Sequence, residues 1–166
     1  MSHGCLENCD LPRLQIKKVF RDFEKAGDDA THRKGDLVKR IIELLTVHTY
    51  VENEVMYPEV RTLVPDLADD IDESYEEHHV ADVLVTELVP LSPDADRFDA
   101  KVTVLIENVE HHIEEEEQEW FPKVREALGR KQLAQIGERL LEAKQKAPRS
   151  PAQPSALKKT VDALIK

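Results

Sequence analysis

The stretch His48-Thr-Tyr-Val-Glu52-Asn-Glu-Val-Met-Tyr-Pro58 occurs a second time, 64 residues on, as His112-Ile-Glu-Glu-Glu116-Glu-Gln-Glu-Trp-Phe-Pro122. Each copy has a histidine, a glutamate four residues later, then an aromatic residue and a proline at the ninth and tenth positions after the histidine. Residues four apart lie on one face of a helix, one turn from each other. Each copy therefore offers an imidazole and a carboxylate from a single face. Helical bundles build metal sites in their cores in this way.

The sequence on either side of the repeats also has helical periodicity. Leu14, Ile16, Val19, Phe20 and Phe23 mark a first helix over 11–26, with Gly27-Asp28-Asp29 as the turn. Leu37, Val38, Ile41, Ile42, Leu44, Leu45, His48 and Val51 mark a second, which should kink or end near Pro58. A third starts near Pro65-Asp66 and carries Ile71, Tyr75, His78, Leu84, Val85 and Leu88. Pro90 and Pro93 bracket the next turn, where Ser92 is placed to cap a helix and Pro93 to open it. The fourth carries Phe98, Val102, Leu105, Ile106, Val109, His112 and Trp120, and Gly129 closes it. A shorter fifth helix spans 132–146 with Leu133, Ile136, Leu140 and Leu141. The expected fold is all-α, an up-down-up-down four-helix bundle with a short fifth helix. Residues 1–10 are expected to be loose, 11–146 to form the helical domain, and 147–166 to be a Pro/Ser linker with a short amphipathic tail. That tail, through Leu157, Val161, Leu164 and Ile165, is too short to be a stable helix alone and offers a surface for a protein partner.

Composition narrows the function classes. The chain has 166 residues, enough for one domain with a real core. Charged residues make up 34%, aromatics 5%, and there are five Gly, a balance that favours amphipathic helices over sheets. A net charge of −11 argues against binding to nucleic acid or to anionic membranes. No apolar run reaches the roughly 18–20 residues of a membrane span, and no signal peptide is expected. The only cysteines, Cys5 and Cys9, are no disulfide framework, and the cytoplasm is the expected compartment.

Seven histidines compete for a role. His48 and His112 lie in apolar stripes with a glutamate one turn on, so a simple core reading would leave two buried carboxylates uncompensated. Divalent cations supply that compensation, with Glu52 and Glu116 each able to bridge two ions. Of the adjacent pair His78 and His79, His78 shares its face with Ala81, Leu84 and Val85. His112 is favoured over His111 because Val109, Ile113 and Glu116 share its side. His111 and Glu115 form a similar pair but out of register, so they are expected in solvent, as are Glu114 and Glu117. His32 is expected at the surface and His3 in the loose N-terminus. Imidazole with carboxylate suits iron or manganese, and zinc is compatible by ligand type.

These residues resemble the hemerythrin-like, HHE cation-binding family in its bacterial form. The likeness covers roughly residues 11–146. It rests on His48-x-x-x-Glu52 with Met-Tyr-Pro58, on Glu77-His78, on His112-x-x-x-Glu116 with Trp-Phe-Pro122, and on Gly27-Asp28-Asp29 and Asp99-Ala-Lys-Val-Thr-Val104. The resemblance implies a four-helix bundle around two non-haem irons, bridged by the two glutamates and an oxo or hydroxo group. It implies His48, Glu52, His78, His112 and Glu116 as metal ligands. It also implies dioxygen binding, iron or oxygen sensing, or peroxide and nitric oxide chemistry.

One position departs from that pattern. The family has a histidine near the start of helix one, and counting back from Phe20 and Phe23 that position is Arg13, preceded by Pro12. Arginine is always cationic and does not ligate. Water or an anion held by Arg13 can fill the gap; Cys9, Cys5 or His3 can substitute; or the ion at His78 and His112 alone binds tightly. Glu119 and Glu59 stay on the ligand side as further substitutes. The missing imidazole leaves an extra open position on the metal and tilts the expectation towards peroxide turnover or sensing. The competing class is a helical interaction or stress module whose metal site is degenerate, weakly occupied or empty.

Overall fold

The computed structural model describes residues 7–27 and 30–151, and of residues 7–12 the backbone alone. The described part is helical and contains no strand. The helices are α1 (Glu7–Glu24), α2 (Thr31–Val51), α3 (Tyr57–Leu63), α4 (Ala68–Leu88), α5 (Phe98–Glu115), α6 (Phe121–Ala127) and α7 (Arg130–Lys146). A π-helical turn, Glu52–Met56, joins α2 to α3, and a second, Glu116–Trp120, joins α5 to α6. The bundle is thus α1, α2–α3, α4 and α5–α6. α1 packs on α2, α4 on α5, and α7 lies against α2 and the first π turn.

The π turns are equivalent, since each starts at the glutamate of its repeat. Tyr57 N–H bonds the Glu52 carbonyl and Phe121 N–H bonds that of Glu116, five residues back in each case. The expected disturbance at Pro58 therefore takes the form of a widened turn, with the helix running on. Pro58 has no N–H to donate. Five residues back is Asn53, whose carbonyl accepts the Tyr75 hydroxyl instead, at 3.3 Å.

One expected helix start and one expected core position need correction. α5 begins at Phe98, not at Pro93. Residues 92–97 form successive turns, with Ala95 N–H on the Ser92 carbonyl and Phe98 N–H on that of Ala95. Arg97 then sits in the left-handed region (φ 67°), which no helix can propagate through. Pro93 has a packing role: it lies so close to Gly35 of α2 that a Cβ there would come within 2.7 Å of its ring. In α1 the inward stripe is Arg13, Ile16, Phe20 and Phe23, all buried, while Leu14 is 60% exposed. Spacings of three, four and three residues keep Arg13 on the core face and turn Leu14 away.

Apolar side chains form two clusters. One comprises Ile16, Phe20, Val38, Ile41, Leu45, Ala81, Val85, Leu105 and Ile113 with their neighbours. The other gathers Met56, Tyr57, Val60, Leu67, Ile71, Trp120, Phe121 and Val124, closed by Ile136 and Leu140 of α7. Between the two along α2, α4 and α5 lies a buried polar layer of His48, Glu52, Ser74, His78, His112 and Glu116, joined by Arg13 from α1. Gln132 closes onto the Gly129 N–H to start α7, and Arg139 of α7 pairs with Glu59 at 2.8 Å.

Candidate metal centre

The centre is built on four helices. α2 carries His48 in its last turn and leads into Glu52; α4 supplies His78; α5 supplies His112 and leads into Glu116; α1 supplies Arg13. None of these six residues is more than 6% exposed. His48, Glu52, His78 and His112 each place a ligand atom within 4.8 Å of the other three. Glu52 Oε2 is the focus. It lies 3.2 Å from His48 Nε2, 3.3 Å from His78 Nε2 and 3.7 Å from His112 Nε2.

Two of the imidazoles are oriented from behind. His78 Nδ1 lies 2.8 Å from the Asn53 side-chain oxygen, and His112 Nδ1 lies 2.7 Å from a Glu77 carboxylate oxygen. Both partners accept, so each ring donates outward and turns Nε2 inward. Outer-shell partners of this kind fix the tautomer of ligating histidines. The two Nε2 atoms then face each other at 3.0 Å. His48 Nε2 is buried without a hydrogen-bond partner. Three imidazole nitrogens crowded around one carboxylate oxygen have the donor chemistry of a cation site.

Electrostatics agree. Burial pushes the His48 pKa down to about 3, so that ring is a neutral donor. Burial also lowers His78. His112 is opposed by burial but raised to about 10 by Glu116, Glu52 and Glu77, so without metal it carries the proton that a cation would displace. Glu52 is held well below the usual carboxylate range: burial works against this, but His48 and Arg13 outweigh it. Glu116 is pushed up to about 7 by burial and by Glu52. Burial and both carboxylates keep the Tyr57 phenol protonated.

Tyr57 is the residue that sequence reasoning missed. Its hydroxyl donates to Glu116 Oε1 at 3.0 Å, and lies 3.3 Å from Glu52 Oε2. It is also 3.1 Å from His78 Nε2 and 3.4 Å from His112 Nε2. In an unbroken α-helix the fifth residue after Glu52 would point about 140° away; the π turn brings it back over the centre. A signal was present: across the 64-residue offset Tyr57 matches Phe121, and only the first copy keeps a hydroxyl. Asn53 and Glu77 were likewise assigned no role by spacing alone.

Other expected residues lie apart from the four-donor group. Glu116 accepts from Tyr57 and Arg13, with Oε2 3.6 Å from His112 Nε2. His32 is almost fully exposed, and His79 and Glu119 are exposed. Glu59 is engaged by Arg139. His111 pairs with Glu115 at 3.1 Å on the half-open side of α5, beside Glu77. His3, Cys5, the side chain of Cys9 and the C-terminal tail are outside the described residues.

Residues 14–124 match the family described as the hemerythrin HHE cation binding domain. The chain belongs to that family. It is 29% identical over 140 residues to a protein of Nostoc sp. named DNA nickase, an alignment covering 82% of this chain but 39% of the relative. The chain thus spans well under half the length of that curated relative. Its fold is also that of a hemerythrin HHE cation binding domain-containing protein of Mycobacterium kansasii, with a TM-score of 0.69, 18% identity and 84% of each chain covered. No helix among the described residues is long and apolar enough to cross a membrane.

The family's donors are a fit for one ion at His48, Glu52, His78 and His112. A second ion would have to lie between Glu52 and Glu116, and there the Arg13 guanidinium stands. Its Nη2 donates to Glu52 Oε1 at 2.7 Å and, in a short contact, to Glu116 Oε2.

Proposed function

We propose that the chain binds iron through His48, Glu52, His78 and His112 and uses it to engage dioxygen, peroxide or nitric oxide, in sensing or stress defence. The observation that supports this best is the inward convergence of three buried imidazole Nε2 atoms on Glu52 Oε2, two of them held there by outward hydrogen bonds. Without a cation, such a group places lone pairs against one another and against a carboxylate, at a cost that burial enlarges.

Iron bound there would supply a reversible redox couple and an open position for a small ligand. The chain's own residues set the surroundings. Asn53 and Glu77 orient two of the donor rings. The Tyr57 hydroxyl holds a proton within 3.4 Å of both ring nitrogens. Glu116, whose pKa lies at about 7, is a second proton-carrying group at the centre. The apolar clusters on either side exclude bulk water. A proton source beside the metal favours peroxide turnover or sensing over simple carriage.

Elemental analysis and optical titration with peroxide, azide and nitric oxide test the reading. Iron that disappears in His78→Ala, with ligand-dependent absorption in the wild type, is expected. Iron retained in His78→Ala, or no spectral response to any of the three, contradicts it.

The competing reading is a metal-free helical interaction module. It is favoured by Arg13, which already offsets part of the buried carboxylate charge, and it requires the isolated protein to carry no metal and to take up none. The DNA suggested by the Nostoc relative's name is not carried over. A net charge of −11 opposes a phosphate backbone, and most of that relative lies outside the shared part. A cytoplasmic location and a protein partner for the tail belong to this proposal as expectations from sequence.

A further inference from the structure

We infer that this chain holds one metal ion and that the Arg13 guanidinium stands, as a permanent positive charge, where the family's second ion would lie. The inference rests on the metal reading above and departs from the two-ion centre the family implies.

The departure begins with the position of Arg13. It occupies the α1 stripe that also carries Ile16, Phe20 and Phe23, so the helix drives it into the core, where it is 1% exposed. Its guanidinium lies 4.4 Å from the centre of the Phe121 ring, over the ring face. Phe121 directly follows the second π turn. The arginine is thus clamped between an aromatic wall and two carboxylates.

Its bonds use up the atoms a second ion would need. Glu52 gives Oε1 to Arg13 and keeps Oε2 for the imidazoles. Glu116 gives Oε2 to Arg13 and Oε1 to the Tyr57 hydroxyl. Neither carboxylate therefore spans two ions; instead one guanidinium spans both carboxylates. This is a geometry that suits arginine, with its planar array of donors. The remaining imidazole, His48, already belongs to the four-donor group, so among the described residues no nitrogen ligand at the centre is left over for a second ion.

Charge leads to the same conclusion. With the three imidazoles as neutral donors, two carboxylates and one guanidinium sum to a single negative charge. One divalent ion turns that into one excess positive charge; a second would have to approach a cation that does not deprotonate.

The test is the iron stoichiometry of the full-length wild type, loaded anaerobically with excess ferrous ion and desalted, read together with the electron paramagnetic resonance spectrum after oxidation. One iron per chain with the signal of an isolated high-spin ferric ion is expected. Arg13→His, which removes the fixed charge and adds a nitrogen donor, should bring a second iron and lose most of that signal through coupling of the pair. Arg13→Met, which removes the charge without adding a donor, should stay near one. Two irons and a silent oxidised spectrum in the wild type overturn the single-ion inference while leaving the metal reading intact. No iron in either the wild type or Arg13→His overturns both. The wild-type count needs no variant, and circular dichroism shows whether each variant is folded.

Discussion

Tyr57 is where the two repeats stop being equivalent, and that one hydroxyl ties the centre together. It is fully buried and donates to Glu116. In Tyr57→Phe the Glu116 oxygen loses its donor. The metal-free protein should lose about 1–3 kcal/mol, seen as a lower urea midpoint with unchanged slope. Metal content should hold, because all four donors stay in place and the Tyr57 phenol is held protonated by burial and by the two carboxylates. His112 and His111 give a sharper contrast. His112 is buried among the donors, whereas the side chain of His111 is 65% exposed. His112→Ala should remove most bound metal on elemental analysis and His111→Ala little; equal losses would mean that the buried register is not the binding register. The choice between these neighbours was legible in the sequence, because a 64-residue offset from His48 selects His112. The partner of Arg13 was not legible. Counting back from Phe20 and Phe23 matched Arg13 to the family's helix-one histidine, but a one-dimensional pattern does not say that its guanidinium reaches two carboxylates 39 and 103 residues away.

At the scale of elements, the two π turns position the site. Widened turns inside helices are common at functional sites because each re-aims the residues that follow it. Here the first turn brings Tyr57 over Glu52 and places Asn53 behind His78. Inserting an alanine after the exposed Glu54 adds a residue that the widened turn does not absorb and should rotate everything after it by about 100°. Far-ultraviolet circular dichroism should then show helix content near wild type, while metal is lost and the thermal midpoint falls. A variant with wild-type metal content would mean that the turn does not set the site. The helices themselves were readable from their apolar stripes, and Pro58 signalled a disturbance. The turn type was not readable, since Glu-Asn-Glu-Val-Met has ordinary helical composition and the donor to the Asn53 carbonyl, the Tyr75 hydroxyl, comes from another helix. The start of α5 was misplaced for a related reason. Ser92 and Pro93 are good local helix signals, but contact with Gly35 and the left-handed Arg97 overrode them.

For the whole molecule, a polar layer lies between two apolar clusters, and the clusters are large enough to hold the bundle without metal. Arg13 and protonated His112 supply positive charge in that state. The metal-free chain should therefore stay helical, in contrast to a zinc finger. Metal should still stabilise it, by about 3–4 kcal/mol at 100–1,000 times the dissociation constant. For a chain of this size that is roughly 10 °C in thermal midpoint between loaded and chelator-treated protein. An unchanged midpoint, with metal shown to be gone, would exclude binding to the folded layer. The most direct measurement is crystallographic: an anomalous difference map recorded at the iron absorption edge from iron-loaded crystals. One peak within ligand distance of His48, Glu52, His78 and His112, with Arg13 still bonded to Glu52 and Glu116, is the expected result. A peak elsewhere, or none at that position in crystals shown to contain iron, would contradict the assignment of the centre.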